Sequence, residues 1–388
     1  MATNTKIVKK ANRYIVMNAI RKSASITIEG IIQETGLSRP TVLNILKKFL
    51  DEEIVIPSGF APSDGGRQPM LYALNPHRYF AIGIDVDGPP INLVVADLNG
   101  EVVYSKTWNI NFGDEGAFIT QSIIAEIDTA IQALHIEYKK VLGIALGMPA
   151  TVDMEANTTV RLSRLYKWNN YPISDNINQH TGIKVYLRND THLISIAEHR
   201  MISNVDDSLF IVHRSGIGMS AIINNQLYEG AMGNPGYIGH TTLFIEGRDC
   251  DCGQKGCFEV YCSKRAITKD YAEAAGMQKS YPEILELAAK GDSTAIAIFE
   301  KAGELFGVGI SNFVKTFEIY TVILGDVICD EDHIFFKSIV QSARKHLENY
   351  TNKPLLILKG KLTGENFGLG GCHFILSKYF ASPKLRLD

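Results

Sequence analysis

Along the first fifty residues, apolar positions recur at helical spacing. Ile7, Ala11, Tyr14, Ile15 and Ala19 fall on one side of a helix over residues 5–22, and a short second helix is expected from Ile28 to Glu34. Gly36 breaks the run as a turn glycine. Ser38 stands at the cap of a third helix, SRPTVLNILKKFL, with Pro40 in its first turn, where a missing N–H costs nothing. Val42, Ile45, Leu46 and Phe49 form its buried stripe. Arg39, Thr41, Asn44 and Lys48 are left on the other face. The period then changes to two. EEIVIPSGFAPSDGGRQPMLYALNP reads as two β-runs joined by a Gly/Pro/Ser/Asp tip. A short helix, a glycine turn, a capped helix with polar residues early on its free face, and a hairpin together spell a winged helix–turn–helix. An ordinary helical subdomain with a hairpin is the plainer alternative.

From Tyr79 the pattern becomes that of an α/β protein. FAIGIDVD, INLVVADL and EVVYSKTW are successive β-runs, followed by a helix over about 115–134 and the strand VLGIALG. Near Ser208 the order restarts with SLFIVHRS, MSAIIN and a tight turn at Asn224-Asn225. Helices over about 282–317 and the strands YTVILG and LLIL follow. A pattern used twice predicts two similar α/β lobes, with a ligand cleft between them.

Composition agrees with a globular chain: 45% of its 388 residues are hydrophobic and 21% charged. The start has no apolar leader core and no window could span a membrane, so a cytoplasmic protein with reduced thiols is expected. The net charge of −3 is uneven. Residues 1–75 hold ten Lys/Arg against six Asp/Glu, or +4, which leaves −7 for the rest. A basic head on an acidic body points to nucleic acid at the N-terminus. Within that head Arg39, Thr41 and Asn44 are placed to meet base edges, and Ser38, at the cap of the same helix, belongs to the same DNA-binding face. Lys47, Lys48 and the wing's Arg67, set in Gly65-Gly66-Arg67-Gln68-Pro69, are placed to meet phosphates or a minor groove.

The chemistry is densest at CDCGQKGCFEVYC. Cys250, Cys252 and Cys257, with His240 upstream, offer a Cys3His set that suits zinc, and Gly253 and Gly256 allow the loop to close tightly. A disulfide or unpaired thiols are the alternatives, and a reducing compartment disfavours the first. Cys262 reads as a buried free thiol outside the set. Cys329 and Cys372 read as core residues.

Gly239-His240 followed by C-x-C-G-x-x-G-C-x-E, ending at Glu259, resembles the signature of the ROK family (repressors, open reading frames, kinases). The winged head in front resembles its sugar-responsive repressor branch, typified by the xylose and N-acetylglucosamine repressors. The resemblance implies a two-lobed actin/hexokinase-like, sugar-kinase fold behind the winged helix. The expected domains are 1–76, a first lobe over 77–200 joined by a C-terminal helix over 373–388, and a second lobe over 201–372 that carries the zinc loop. It also implies a sugar site at Asn189, Asp190, Tyr237, His240 and Glu259, with His240 shared between zinc and sugar. Tyr237 is a departure, since the family has glutamate there. A phenol offers hydrogen bonds without charge.

Kinase members have D-x-G-G-T-K at the first strand turn; here it reads Asp85-Val86-Asp87-Gly88-Pro89-Pro90. A carboxylate repels phosphate and proline removes N–H donors, so both changes oppose nucleotide. Ser215-Gly216-Ile217-Gly218 is better kept, Leu324-Gly325-Asp326 has lost one glycine, and Asp190 stands where a kinase has its general base. The expectation is a non-enzymatic regulator that binds operator DNA and answers to a sugar or sugar derivative, as a homodimer or homotetramer. An ATP-dependent sugar kinase with a DNA-binding head, or a regulator controlled by a partner protein, is the alternative.

Overall fold

The computed structural model describes residues 2–62, 68–87, 90–111, 115–162, 171–214, 216–326 and 330–381. The head comprises α1 (Ala2–Lys22), β1 (Ile26–Thr27), α2 (Ile28–Thr35), α3 (Arg39–Asp51), β2 (Val55–Phe60) and β3 (Met70–Leu74), with strand order β1-β3-β2. Thr27 caps α2 by accepting from Gly30 N at 3.1 Å, and Gly36 ends it at φ +67°. Val42, Leu46 and Phe49 are buried under α3, with Ile45 half-buried. Ser38 holds the N-cap position, yet its hydroxyl does not cap the backbone. It pairs instead with the Thr41 hydroxyl at 2.9 Å.

The body repeats one sheet twice. The first lobe has β4 (Phe80–Asp85), β5 (Ile91–Ala96), β6 (Val102–Trp108), α4 (Gly116–Ala133), β7 (Val141–Met148), β8 (Ala150–Asp153), β9 (Thr158–Leu162), α5 (Ile173–Thr181), β10 (Val185–Asn189) and α6 (Asp190–Arg200). The second has β11 (Ser208–His213), β12 (Ile217–Ile223), β13 (Gln226–Leu227), α7 (Glu259–Cys262), α8 (Lys264–Ala275), α9 (Tyr281–Ala289), α10 (Ser293–Phe317), β14 (Thr321–Gly325), α11 (Ile334–Leu347) and β15 (Leu356–Lys359). The sheets run β10-β7-β4-β5-β6 and β13-β12-β11-β14-β15. Counted within each lobe, both have the order 3-2-1-4-5. The first three strands are antiparallel and the last two parallel to the first. Every residue of β4, β5 and β11 is buried, which is why these runs are continuously apolar instead of alternating. This is the two-lobed actin/hexokinase-like architecture.

The last helix, α12, is Leu369–Tyr379, starting four residues before the expected 373. It packs on β4, β7 and α6. The approach is close enough that a Cβ on Gly83 would lie 1.8 Å from the Gly368 carbonyl, so only glycine fits there. Beyond α12, Phe380 meets the head. Asn18 donates to its carbonyl at 3.1 Å, and the Arg21 guanidinium lies 4.6 Å from its ring centroid. Val16, Met17 and Ile20 of α1 share one apolar cluster with Phe374, Leu376 and Phe380. The head is thereby fastened to the body through α12. Among the described residues no helix is long and apolar enough to cross a membrane.

Candidate functional site

The cysteine loop folds on itself through backbone bonds. Cys250 N donates to Gln254 O and Gly253 N to Cys250 O, each at 2.9 Å. Gly256 sits at φ +70°, where an added Cβ would lie 1.6 Å from the Phe244 carbonyl. The result gathers His240, Cys250, Cys252 and Cys257, whose ligand atoms all lie within 4.8 Å of one another. Cys250 Sγ is 3.6 Å from His240 Nδ1, and Cys252 Sγ is 3.6 Å from Cys257 Sγ. A tetrahedral ion with metal–sulfur bonds of about 2.3 Å would set such edges at about 3.8 Å, so the four donors could hold a metal ion. A disulfide would need a sulfur separation near 2.05 Å. Cys262 and Cys372 are fully buried elsewhere, and burial pushes both thiols up, Cys372 to about 12. Cys329 lies outside the described residues.

Beside the loop opens a cavity of about 520 Å³ between the lobes. The positions expected to meet a sugar, Asn189, Asp190, Tyr237, His240 and Glu259, all line it. Asn189 also caps α6, accepting from His192 N at 3.4 Å, so the helix-cap role and the cavity position coexist. Asp190, 5% exposed, is the first residue of α6. Tyr237 donates to the Thr151 hydroxyl at 2.8 Å. Glu259 is buried at the start of α7, with Oε1 3.8 Å from His240 Nδ1. His240 thus belongs to both features. Amide, phenol, imidazole and carboxylates set around one cavity among apolar residues such as Val212, Ile217 and Met219 suit a polyol.

Sequence reasoning missed the group at the inner end of this cavity. Arg214, just past β11, donates through Nη1 to Asp87 at 2.7 Å and Asp190 at 3.0 Å, and through Nη2 to Asp85 at 3.1 Å. Its Nε lies 3.7 Å from Asp326, which also accepts from Lys264 Nζ at 2.8 Å. The guanidinium stacks 4.4 Å from the Phe367 ring centroid. Four of these residues, Asp85, Asp190, Arg214 and Asp326, lie at the carboxyl ends of strands, where α/β sheets bind ligands. Burial pushes Asp190 up to about 8, helped by Asp87 and Asp85 and opposed by Arg214. Burial likewise pushes Asp85 to about 6, with Arg214 opposing. Burial works against the charge of Arg214, and the four carboxylates overcome it, holding its pKa well above the ordinary value. The one available signal was a charged residue directly after the apolar run SLFIVH and before Gly216-Ile217-Gly218. Gly88, Pro89 and Ser215 lie outside the described residues.

On the head, Ser38, Arg39, Asn44, Lys47 and Lys48 are exposed and Thr41 is half-buried. Arg39 is paired with Glu29 of α2, a contact sequence reasoning did not foresee. Arg67 lies outside the described residues.

A profile of the ROK family matches residues 81–378. The chain is 25% identical to a xylose repressor of Caldicellulosiruptor bescii over 398 residues, covering 98% of this chain and 99% of that one. Among solved structures it is similar to a ROK family transcriptional regulator described as a homolog of the E. coli MLC protein. That match has a TM-score of 0.81 at 22% identity and covers 96% of this chain and 97% of the other. A ROK family glucokinase from Streptomyces griseus, solved with glucose and AMPPNP, matches with a TM-score of 0.67 at 24% identity, over 76% of this chain and 98% of its own.

Proposed function

This chain belongs to the ROK family, and from that premise we propose that it is a sugar-responsive transcriptional repressor. The head reads operator DNA, and a sugar or sugar derivative in the interlobe cavity modulates its grip. The observation that carries this is convergence. Five polar positions and a Cys3His loop meet at one cavity, while α12 ties the same lobes to a DNA-binding head. Full-length similarity to a xylose repressor supports it.

The sugar is held by Asn189, Asp190, Tyr237, His240 and Glu259. With tyrosine in place of glutamate at 237, one contact is a neutral hydrogen bond. The metal is zinc, bound by His240, Cys250, Cys252 and Cys257. With four protein ligands it is structural and fixes His240 and Glu259 at the cavity wall. On DNA, two heads of a dimer or tetramer place α3 in successive major grooves. Arg39, Thr41 and Asn44 meet bases beside Ser38, while Lys47, Lys48 and Arg67 meet the backbone or minor groove. The protein works in the cytoplasm.

Coupling requires that the sugar bind one lobe arrangement better than the other. A continuous chain of contacts is available. α6 begins at Asp190 in the cavity, packs along α12, and ends at Arg200, which donates to His373 of α12 at 2.8 Å. α12 in turn carries Phe380 against α1. Sugar phosphorylation is opposed by the inner wall, where Arg214 already satisfies Asp87 and Asp190.

A thermal-shift screen against pentoses, hexoses, N-acetyl sugars and their phosphates tests the ligand class. A ligand that binds only the folded state adds about 2.7 kcal/mol at a hundredfold excess over its dissociation constant. At least one sugar should raise the melting temperature saturably. A panel with no response would refute sugar control.

A further inference from the structure

The carboxylates around Arg214 belong to both halves of the body. Asp85, Asp87 and Asp190 come from the first lobe, and Asp326 and Lys264 from the second, as does Arg214 itself. The three charged hydrogen bonds of the guanidinium, at 2.7, 3.0 and 3.1 Å, therefore all cross the cleft. The side chain is 9% exposed, and its carboxylate partners across the cleft are 6–10% exposed. Buried, multiply satisfied pairs of this kind are directional, and removing one partner leaves uncompensated charge. The second lobe aims the arginine. Asp326 lies at its Nε, Lys264 N donates to the Arg214 carbonyl at 3.0 Å, and Arg214 N closes the turn by donating to Gly216 O at 3.0 Å.

We propose that Arg214 is an interlobe clasp and a positioning residue for Asp190. From the second lobe it holds the first lobe's cleft wall and the first turn of α6, so that the lobes stay engaged without a nucleotide between them. A ligand that draws on Asp190 then works directly against the clasp, which links cavity occupancy to lobe arrangement. This role rests on the regulator proposed above for its purpose but not for its measurement.

Hydrogen–deuterium exchange on the full-length protein tests it without DNA or sugar. Arg214→Met keeps the length and apolar stem and removes the fork. Exchange should rise about tenfold over residues 147–152, 190–193 and 216–219, while α4 and α10 keep their protection. Arg214→Lys, which keeps the charge, should recover part of that protection. Asp87→Asn, which weakens a single cross-cleft bond, should give a smaller rise at the same segments and serves if the methionine variant does not fold. Unchanged exchange at the cleft in folded variants would overturn the clasp. So would a uniform rise across the whole chain with no rescue by lysine. A protein that answered to no sugar would sink the regulatory function and leave this result standing.

Discussion

Phe380→Ala should separate DNA binding from its control. The ring is 5% exposed and lies in the cluster shared by α1 and α12. Removing a buried phenyl group costs about 3–5 kcal/mol. The guanidinium of Arg21, 4.6 Å from the ring centroid, accounts for about 0.5–2 kcal/mol of that total. The backbone bond from Asn18 to the Phe380 carbonyl survives the substitution. If even about 2 kcal/mol of the loss falls on docking of the head, the docked fraction relative to undocked drops about thirtyfold. Neither the face of α3 nor the cavity is touched. The variant should still bind operator and still be stabilised by sugar, but sugar should no longer change operator affinity. Fluorescence anisotropy of operator DNA with and without saturating sugar reads the coupling, and urea denaturation reads the stability loss. A variant that loses the expected stability yet keeps the wild-type sugar response would refute the route through α12.

Other outcomes follow from the same geometry. Cys257→Ser should abolish stoichiometric metal by elemental analysis and weaken the sugar-dependent thermal shift, whereas Cys262→Ser, outside the loop, should leave metal content unchanged. For metal held at a thousandfold excess over its dissociation constant, the stability lost is about 4 kcal/mol. Arg39→Ala should cost about 1–3 kcal/mol and relax base preference, while Lys48→Ala should weaken all sequences alike and reduce the salt slope by about one. Burial pushes Asp190 from 3.8 up to about 8, helped by Asp87 and Asp85 and opposed by Arg214, so the carboxyl cluster around Arg214 retains a proton in the folded chain over a range where the unfolded chain has lost it. The folded state is therefore penalised increasingly between about pH 4 and pH 8. Asp190→Asn removes the penalty, so its stability relative to the wild type should improve as pH rises across that window. A pH-independent difference in urea midpoints would contradict this.

The parts legible in the sequence were those whose cause is local. The second and third helices of the head follow from apolar spacing, Gly36 and Pro40, all within a few residues of what they determine, whereas the first helix buries Val16, Met17 and Ile20 and leaves Ile15 of its expected face exposed. The cysteine loop is similar, since His240 to Cys257 is one short segment whose glycines permit the fold. The double lobe showed through because its central strands, buried on both faces, are unbroken apolar runs. The Arg214 clasp was not legible. Asp85 and Asp87 stand more than a hundred residues away from it, and only the pairing of distant strands brings them together. The β8–β9 hairpin was also missed, because short strands at a cavity rim have too few positions to show a period. Ser38 looked like a backbone cap, but the Thr41 hydroxyl lies within its reach and takes the bond instead.

The most direct test is operator binding by the purified wild-type chain across the sugar panel, with ATP turnover measured in the same samples. One sugar should shift the operator dissociation constant saturably, at the concentration that raises the melting temperature, with no sugar-dependent ATP hydrolysis. Operator affinity indifferent to every sugar, or steady phosphorylation of the sugar that binds, would contradict that expectation.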